Sequence, residues 1–350
     1  MKIGYNAYKD EPVYYNYTRE NVVGVAAKTM YGKSVLLKIL AISARNFGKH
    51  ILIIDYCGEH KSLIYPNFNS KDSIGCIPDL KIIEDFGYKI SDFDDRHLWA
   101  KMGFPQSASI RMAELCKRID IHQNNPQLLY DFVLNELETL PKGAVVRGVQ
   151  PIHTASKDSI LTKLPPILSM FITEAEIEDG KRIYIKDWGD FILKHKNVLV
   201  NFNLHTRQNI ERAQVNCGKI LDDLQKYLGK LNLSIFIEEC DVLAPFVLNP
   251  DERPFSLEQI ALYSKKLQKF GVELFLFTQT LNSLSPDVSE NIKTYILGRL
   301  NSSNEPYYTY TQGLRWQADK NYRQFLMVNE MNNLFVKFYP VDCPCDYIKR

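Results

Sequence analysis

The stretch Ala27-Lys28-Thr29-Met30-Tyr31-Gly32-Lys33-Ser34 places a lysine and a hydroxyl directly after a glycine. That order suits phosphate chemistry. Successive backbone N–H groups in a tight turn, followed by the positive end of a helix, surround anionic oxygens. Lys33 then reaches the β- and γ-phosphates of a nucleotide, and Ser34 sets its hydroxyl on Mg²⁺. Gly32 lets the backbone approach the phosphates closely. Ala27 through Val35 thus form a candidate phosphate-binding loop, with ATP and Mg²⁺ as the expected cofactors. Ala27 stands where the P-loop pattern carries its first glycine.

Three further groups could act on the same phosphates. Ile235-Phe236-Ile237-Glu238-Glu239 ends an apolar run in two carboxylates. Glu238 is the expected Mg²⁺ carboxylate, acting through water, and Glu239 the group that orients or deprotonates the attacking water. Asp55-Tyr56-Cys57-Gly58-Glu59 ends a second apolar run, with Asp55 and Glu59 expected to face the phosphate crevice. Thr278-Gln279-Thr280 ends a third, where the Gln279 amide can bond the γ-phosphate or the lytic water.

These groups need strands that end at one edge of a sheet. Asn21–Ala26 reads as a buried strand, Lys33–Phe47 as a helix stopped at Gly48, and His50–Asp55 as a second buried strand. Strand, loop, helix and strand make the βαβ unit of a parallel sheet. The first twenty residues read as an extended lead-in. From residue 61 to 194 the pattern turns helical, with segments at 92–102, 107–118, 126–140 and 156–172. The 67–79 stretch reads as a loop or short hairpin. Strands resume at 197–203, 233–237, 272–278 and 294–300, with helices at 207–229, 256–270 and 287–295. A closing hairpin spans 324–328 and 334–339. The expected fold is an α/β RecA-like parallel sheet flanked by helices, formed by 1–60 and 195–350. A mostly helical insertion or lid at 61–194 and a C-terminal β-hairpin complete it.

With 350 residues, 45% hydrophobic, the chain can bury a sizeable core, and its net charge of +2 leaves no bulk basic excess to coat nucleic acid. Any DNA contact must come from a local patch or a ring of loops. Lys265, Lys266, Arg315, Lys320 and Arg323 are candidates for it. The seven cysteines are odd in number and lack a CxxC pair, so they read as reduced thiols of an intracellular protein. No signal core or membrane-spanning run stands out in the sequence.

Taken in chain order, AKTMYGKS, DYCGE, IFIEECD and FTQT resemble the motifs of the HerA–FtsK superfamily of pumping P-loop ATPases. The DxxGE element is the most discriminating of the four, and Leu281–Leu300 is similar to the family's continuation into a last core strand. The resemblance covers nearly the whole chain and is weakest between residues 61 and 187. It implies a hexameric ring of identical subunits, with ATP at their interfaces and DNA, or sometimes protein, moved through the pore. Several positions depart from the family pattern: Ala27, Glu238 in place of the usual aspartate, Thr280-Leu281 after Gln279, and Gln268-Lys269 before Gly271. The arginine finger is therefore open among Arg299, Arg253 and Lys269. A lead-in of about twenty residues leaves no room for the β-barrel of full-length HerA proteins, and no anchor is visible. The expectation is a stripped cytoplasmic motor, virus- or plasmid-encoded, similar to viral packaging or conjugation ATPases. It would translocate double-stranded DNA and dock on a portal, capsid or secretion-channel protein. The alternatives are an ATPase that energises a protein conduit and a nucleotide-gated assembly scaffold with little turnover.

Overall fold

The computed structural model describes residues 2–9, 11–15, 22–65, 76–120, 124–141, 144–146, 148–149, 151–152, 157–202, 207–249, 252–266, 270–317, 322–329 and 334–340. The chain opens with β1 (Lys2–Asn6) and β2 (Pro12–Tyr14), followed by β3 (Val22–Ala26), α1 (Lys33–Asn46) and β4 (His50–Asp55). Gly48, at φ 82°, supplies the left-handed residue that stops α1. Next come β5 (Lys81–Ile83), β6 (Phe86–Gly87), α2 (Arg96–Lys101), α3 (Gln106–Asp120), α4 (Pro126–Thr139), α5 (Lys157–Leu168), α6 (Glu174–Glu178), β7 (Ile183–Tyr184) and α7 (Trp188–His195). The chain then returns through β8 (Asn197–Asn201), α8 (Arg207–Leu224), β9 (Leu233–Ile237), α9 (Cys240–Leu243), α10 (Phe255–Lys266), β10 (Glu273–Thr278), α11 (Pro286–Ser289) and β11 (Thr294–Leu297). It closes with α12 (Tyr308–Gln312), β12 (Trp316–Gln317), β13 (Tyr322–Arg323), β14 (Phe325–Asn329) and β15 (Leu334–Pro340).

One 11-stranded sheet organises the molecule, in the order β2-β1-β15-β14-β11-β3-β10-β9-β4-β8-β5. From β11 to β5 every pairing is parallel. From β11 outward through β14, β15, β1 and β2 every pairing is antiparallel. The central strands VVGVA, NVLVN, LSIFI and ELFLFT are buried along their whole length. Both faces of the parallel part are covered, which is why these segments read as unbroken apolar runs.

Alternation along each strand divides the core in two. Ile51, Ile53, Phe236, Phe275 and Phe277 face α1 on one side. Leu52, Ile54, Ile235, Ile237, Leu274 and Leu276 face the other side, in one cluster with residues of α3, α8, α10 and the helical block. That block is held by a run of aromatic edges, among them Phe93 against Trp99 and Phe171 and Phe86 against Trp188. Its two tryptophan N–H groups are both satisfied, at Phe93 O (2.7 Å) and at the Tyr88 hydroxyl (2.8 Å).

Three elements differ from the sequence reading. The tyrosine-rich lead-in is not merely extended: β1 pairs with β15 and β2 pairs with β1 on the antiparallel wing. Gly4 makes this possible, because a Cβ there would lie 2.1 Å from the Tyr339 carbonyl oxygen. Within 61–194, Lys81–Ile83 pairs with β8 as the edge strand of the main sheet, so that stretch is not wholly an addition to it. The helix expected at 287–295 is the single turn Pro286–Ser289, because Thr294 already enters β11 beside β3. Most of the 67–79 loop, at 66–75, lies outside the described residues, as do residues 330–333 between β14 and β15.

Inside the helical block, Arg111 is 1% exposed and its guanidinium is shared between Glu136 and Glu114, the latter at 2.6 Å. Removing one partner of such a pair strands a buried charge. Glu136→Ala is expected to destabilise the chain by about 3–5 kcal/mol, read from the midpoint of urea unfolding, while Glu138→Ala on the same helix shifts the midpoint little.

Candidate active site

Strands β3, β10, β9 and β4 are consecutive neighbours in the parallel sheet. Their C-terminal ends therefore open onto one edge, where the chain crosses from β3 through α1 to β4, past two intervening strands. Crevices at such crossover points are where open α/β sheets bind ligands.

The loop after β3 turns on two left-handed residues, Met30 at φ 61° and Gly32 at φ 102°. Gly32 occupies the N-cap of α1 and offers no side chain to the first-turn N–H groups, and no acidic residue lies in that turn. A 14-residue helix thus presents uncapped N–H donors and the positive end of its dipole at the mouth of the crevice. Neighbouring strand ends brace the loop. The Lys28 N–H donates to Arg299 O at 2.9 Å, and the Gly298 N–H donates to Ala26 O at 2.8 Å. A Cβ at Gly298 would stand 2.3 Å from the Tyr31 ring and 2.5 Å from Ala27 Cβ, so these two P-loop side chains fill the space that glycine leaves. Tyr31 is buried, packs edge-on against Phe325, and donates its hydroxyl to Gln324 O at 2.9 Å. Burial pushes that hydroxyl up to about 12, against the pull of Arg299 and Arg323, so it stays a donor.

Lys33 is half-buried and donates from Nζ to Ala27 O at 2.8 Å. Burial lowers its pKa, while Glu239, Asp241, Glu238 and Glu59 all act in the opposite direction. Carboxylates at the ends of β4 and β9 thus act electrostatically on the ammonium that begins α1, while its hydrogen bond is to the Ala27 carbonyl. Ser34 donates its hydroxyl to Glu59 Oε2 at 2.8 Å.

Asp55 does not face the crevice. It is fully buried and accepts from the backbone N–H groups of Gly58 (2.7 Å), Glu59 (3.3 Å) and His60 (3.0 Å). It shapes the loop that carries Glu59, with Gly58 at φ 79° making the turn. Glu238 also points inward: it is 5% exposed, and His60 Nε2 lies 3.1 Å from its Oε1. The Cys57 N–H donates to its other oxygen at 3.4 Å. The carboxylate in contact with Ser34 is thus Glu59, while Glu238 is bonded to His60 and Cys57.

Asp55, His60 and Glu238 bring their ligand-type atoms within 4.8 Å of one another. Asp55 accepts three backbone N–H bonds and Glu238 meets His60, and the three residues form a hydrogen-bonded clamp joining the β4 loop to β9. Burial works against the charge on Glu238, but the imidazole and its hydrogen bond hold that carboxyl below the usual range. Asp55 is raised, above all by burial. Burial alone would lower His60, but the two carboxylates outweigh it and raise the imidazole.

Glu239 sits in left-handed backbone, φ 46° and ψ 50°, which turns its carboxylate out of line with the strand. Gln279 Nε2 donates to its two oxygens at 3.3 and 3.2 Å, and Thr29 donates its hydroxyl to Gln279 Oε1 at 2.9 Å. Burial raises the Glu239 pKa, with Asp241 adding to the rise and Lys33 opposing it.

Among the basic candidates, Arg299 lies beside the P-loop of its own chain, its backbone bound to Lys28 and its guanidinium to Gln312 O at 3.3 Å. Arg253 and Lys265 are both committed to Asp287, at 3.0 and 3.3 Å. Arg323 lies over the Tyr31 ring, 5.6 Å from its centroid. Lys266 and Arg315 are exposed, and Lys269 and Lys320 lie outside the described residues. Sequence reasoning passed over His60 and Asp241. The place of His60 directly after Glu59 was the available signal. For Asp241 it was a third acid two positions beyond the glutamate pair.

No protein-family model matches the chain, and no curated protein matches it in sequence. Solved structures do. VirB4 of Thermoanaerobacter pseudethanolicus superposes with a TM-score of 0.63 at 14% identity, covering 98% of this chain and 97% of that one. The plasmid coupling protein TrwB, in complex with ADP and Mg²⁺, gives 0.59 at 13% identity, covering 100% of this chain and 91% of that one. TrwB with the non-hydrolysable GTP analogue GDPNP gives 0.58 at 14% identity, over 100% and 92%. Among the described residues no helix is long and apolar enough to cross a membrane. The chain has the P-loop NTPase fold that it shares with these structures.

Proposed function

We propose that the chain is an ATP-hydrolysing motor that binds Mg-ATP between the P-loop and the ends of β4, β9 and β10. The observation that carries this reading is the direct bonding of the P-loop to the strand-end groups: Ser34 to Glu59 at 2.8 Å, and Thr29 to Gln279, which in turn bonds Glu239. Acidic side chains outnumber Lys33 at this edge, and a triphosphate would deepen the excess negative charge. A hard divalent cation offsets that charge, and the donors at hand are the oxygens it prefers: the Ser34 hydroxyl and the Glu59 carboxylate, 2.8 Å apart. Ser34 and Glu59 would hold Mg²⁺, with Glu238 behind them fixing the loop through His60. The bound ion would neutralise charge on the phosphates.

The chain's own residues supply the remaining steps. The uncapped N–H groups of α1 and the backbone of Ala27–Val35 cradle the phosphates. Lys33 leaves the Ala27 carbonyl for the β- and γ-phosphates. Glu239, its basicity raised by burial, takes the proton of the attacking water, and Gln279 holds its carboxylate in line. Arg299 stabilises charge from the same subunit. The cation acting from a neighbouring subunit would be Arg253 or Lys269.

The larger role we propose is translocation of double-stranded DNA by a homo-oligomeric, hexameric ring, in the packaging or transfer of a viral or plasmid genome. The likeness to a plasmid coupling protein over the full chain supports it. Lys266, Arg315 and Arg323 are candidate DNA contacts. The likeness to VirB4 keeps a protein-conduit ATPase as the second reading. Steady-state hydrolysis measured with and without double-stranded DNA, on a sample of known oligomeric state, separates them. Stimulation by DNA supports translocation, and indifference to DNA favours the conduit.

At the residue level, Glu239→Gln is expected to lower kcat by about 10²–10⁴-fold with Mg-ATP binding retained. Lys33→Ala is expected to remove binding itself, read by calorimetry. Glu59→Gln raises the Mg²⁺ concentration needed for half-maximal rate. A base must be ionised to act, so activity falls as pH drops through the raised pKa of Glu239. The acid limb of kcat/KM against pH, which reports the free enzyme, therefore lies above the ordinary glutamate value of 4.5. A limb at or below 4.5 removes Glu239 from the role.

A further inference from the structure

A series of three hydrogen bonds crosses the mouth of the site, from Thr29 on the P-loop through Gln279 at the end of β10 to both oxygens of Glu239 at the end of β9. The phosphate cradle does not need Thr29 to carry a hydroxyl, because the loop meets phosphates through its backbone N–H groups. The chain of bonds does need it. A carboxylate only accepts hydrogen bonds, so Gln279 must turn its NH₂ toward Glu239. Its carbonyl oxygen then faces the P-loop, where only a donor suits it. Thr29 presents that donor at 2.9 Å.

Without the hydroxyl nothing on the P-loop side favours this orientation of the amide. Turned over, Gln279 would set its own oxygen against the carboxylate. Glu239 depends on the brace because its backbone is left-handed, an uncommon state for a glutamate. Its charged neighbour Lys33 is also the group that phosphates would draw away. We propose that Thr29 is a positioning residue for hydrolysis: acting through the Gln279 amide, it holds the Glu239 carboxylate in the orientation used for catalysis. The inference rests on the reading of Glu239 as the base and adds the P-loop residue that sets it.

The test compares Thr29→Val, which keeps the branched shape and loses the hydroxyl, with Thr29→Ser, which keeps the hydroxyl. Thr29 is exposed, so both variants should fold as the parent does. Thr29→Val is expected to lower kcat about fivefold to tenfold, with KM for Mg-ATP held within about twofold. Thr29→Ser restores kcat to within about twofold. In a Gln279→Ala background Thr29→Val has no further effect, because the two residues act as one unit. A rise in KM at constant kcat, failure of serine to rescue, or additive losses in the double variant would overturn the proposal.

A second readout needs no turnover. The ¹⁵N side-chain amide resonance of Gln279, assigned by its loss in Gln279→Ala, moves in Thr29→Val and keeps its place in Thr29→Ser. An unmoved resonance in Thr29→Val overturns the proposal even if the chain proves not to hydrolyse ATP. Inactivity of the parent chain, or unaltered Mg-ATP affinity in Lys33→Ala, counts against the proposed function instead.

Discussion

An ammonium ion drawn partly out of water needs compensating charge, and the architecture at the C-terminal edge of the sheet follows from supplying it to Lys33. Its carboxylate neighbours come from the loops after β4 and β9, strands that pair side by side. Parallel pairing is what makes this possible. Strands running the same way release their loops at the same edge, so residues about two hundred positions apart in the chain become neighbours without long connecting loops. The same pairing obliges β3, β4, β9 and β10 to be apolar on both faces, and the two halves of the core are its consequence.

Two of the acidic side chains at this edge work as scaffolding. Asp55 spends its acceptors on three backbone N–H groups of its own loop, and Glu238 spends its own on His60 and Cys57. Together they lock the β4 loop onto the end of β9, so that Glu59 meets Ser34 at a fixed place. Glu59 and Glu239, less buried, are left at the opening. A division between buried carboxylates that set geometry and accessible ones that meet ligand is a common economy in phosphate sites, since an unpaired buried charge is strongly disfavoured.

Much of this was legible in the sequence because its signals are local. Gly32-Lys33-Ser34 between an apolar run and a helical pattern, and acids or amides closing apolar runs at Glu59, Glu239 and Gln279, marked the strand ends that the sheet brings together. Direction was not legible. Asp55 and Glu59 are both acids in one short loop, and only the tertiary pairing decides that the first turns inward. The same holds for Glu238 and Glu239, adjacent residues that the left-handed backbone at Glu239 sends different ways. Short strands without strong alternation, such as Lys81–Ile83 and Pro12–Tyr14, were missed because an edge strand draws its stability from a neighbour that the local sequence does not name.

The alanine at position 27, a departure from the usual glycine, packs against the neighbouring strand end at Gly298. Its methyl group and the Tyr31 ring fill the volume that Gly298 leaves vacant at the end of β11. A side chain at position 298 would have no room while both are present. Positions 27 and 298 are therefore a reciprocal pair. A side chain larger than hydrogen at position 298 would be accommodated only with less bulk at positions 27 and 31.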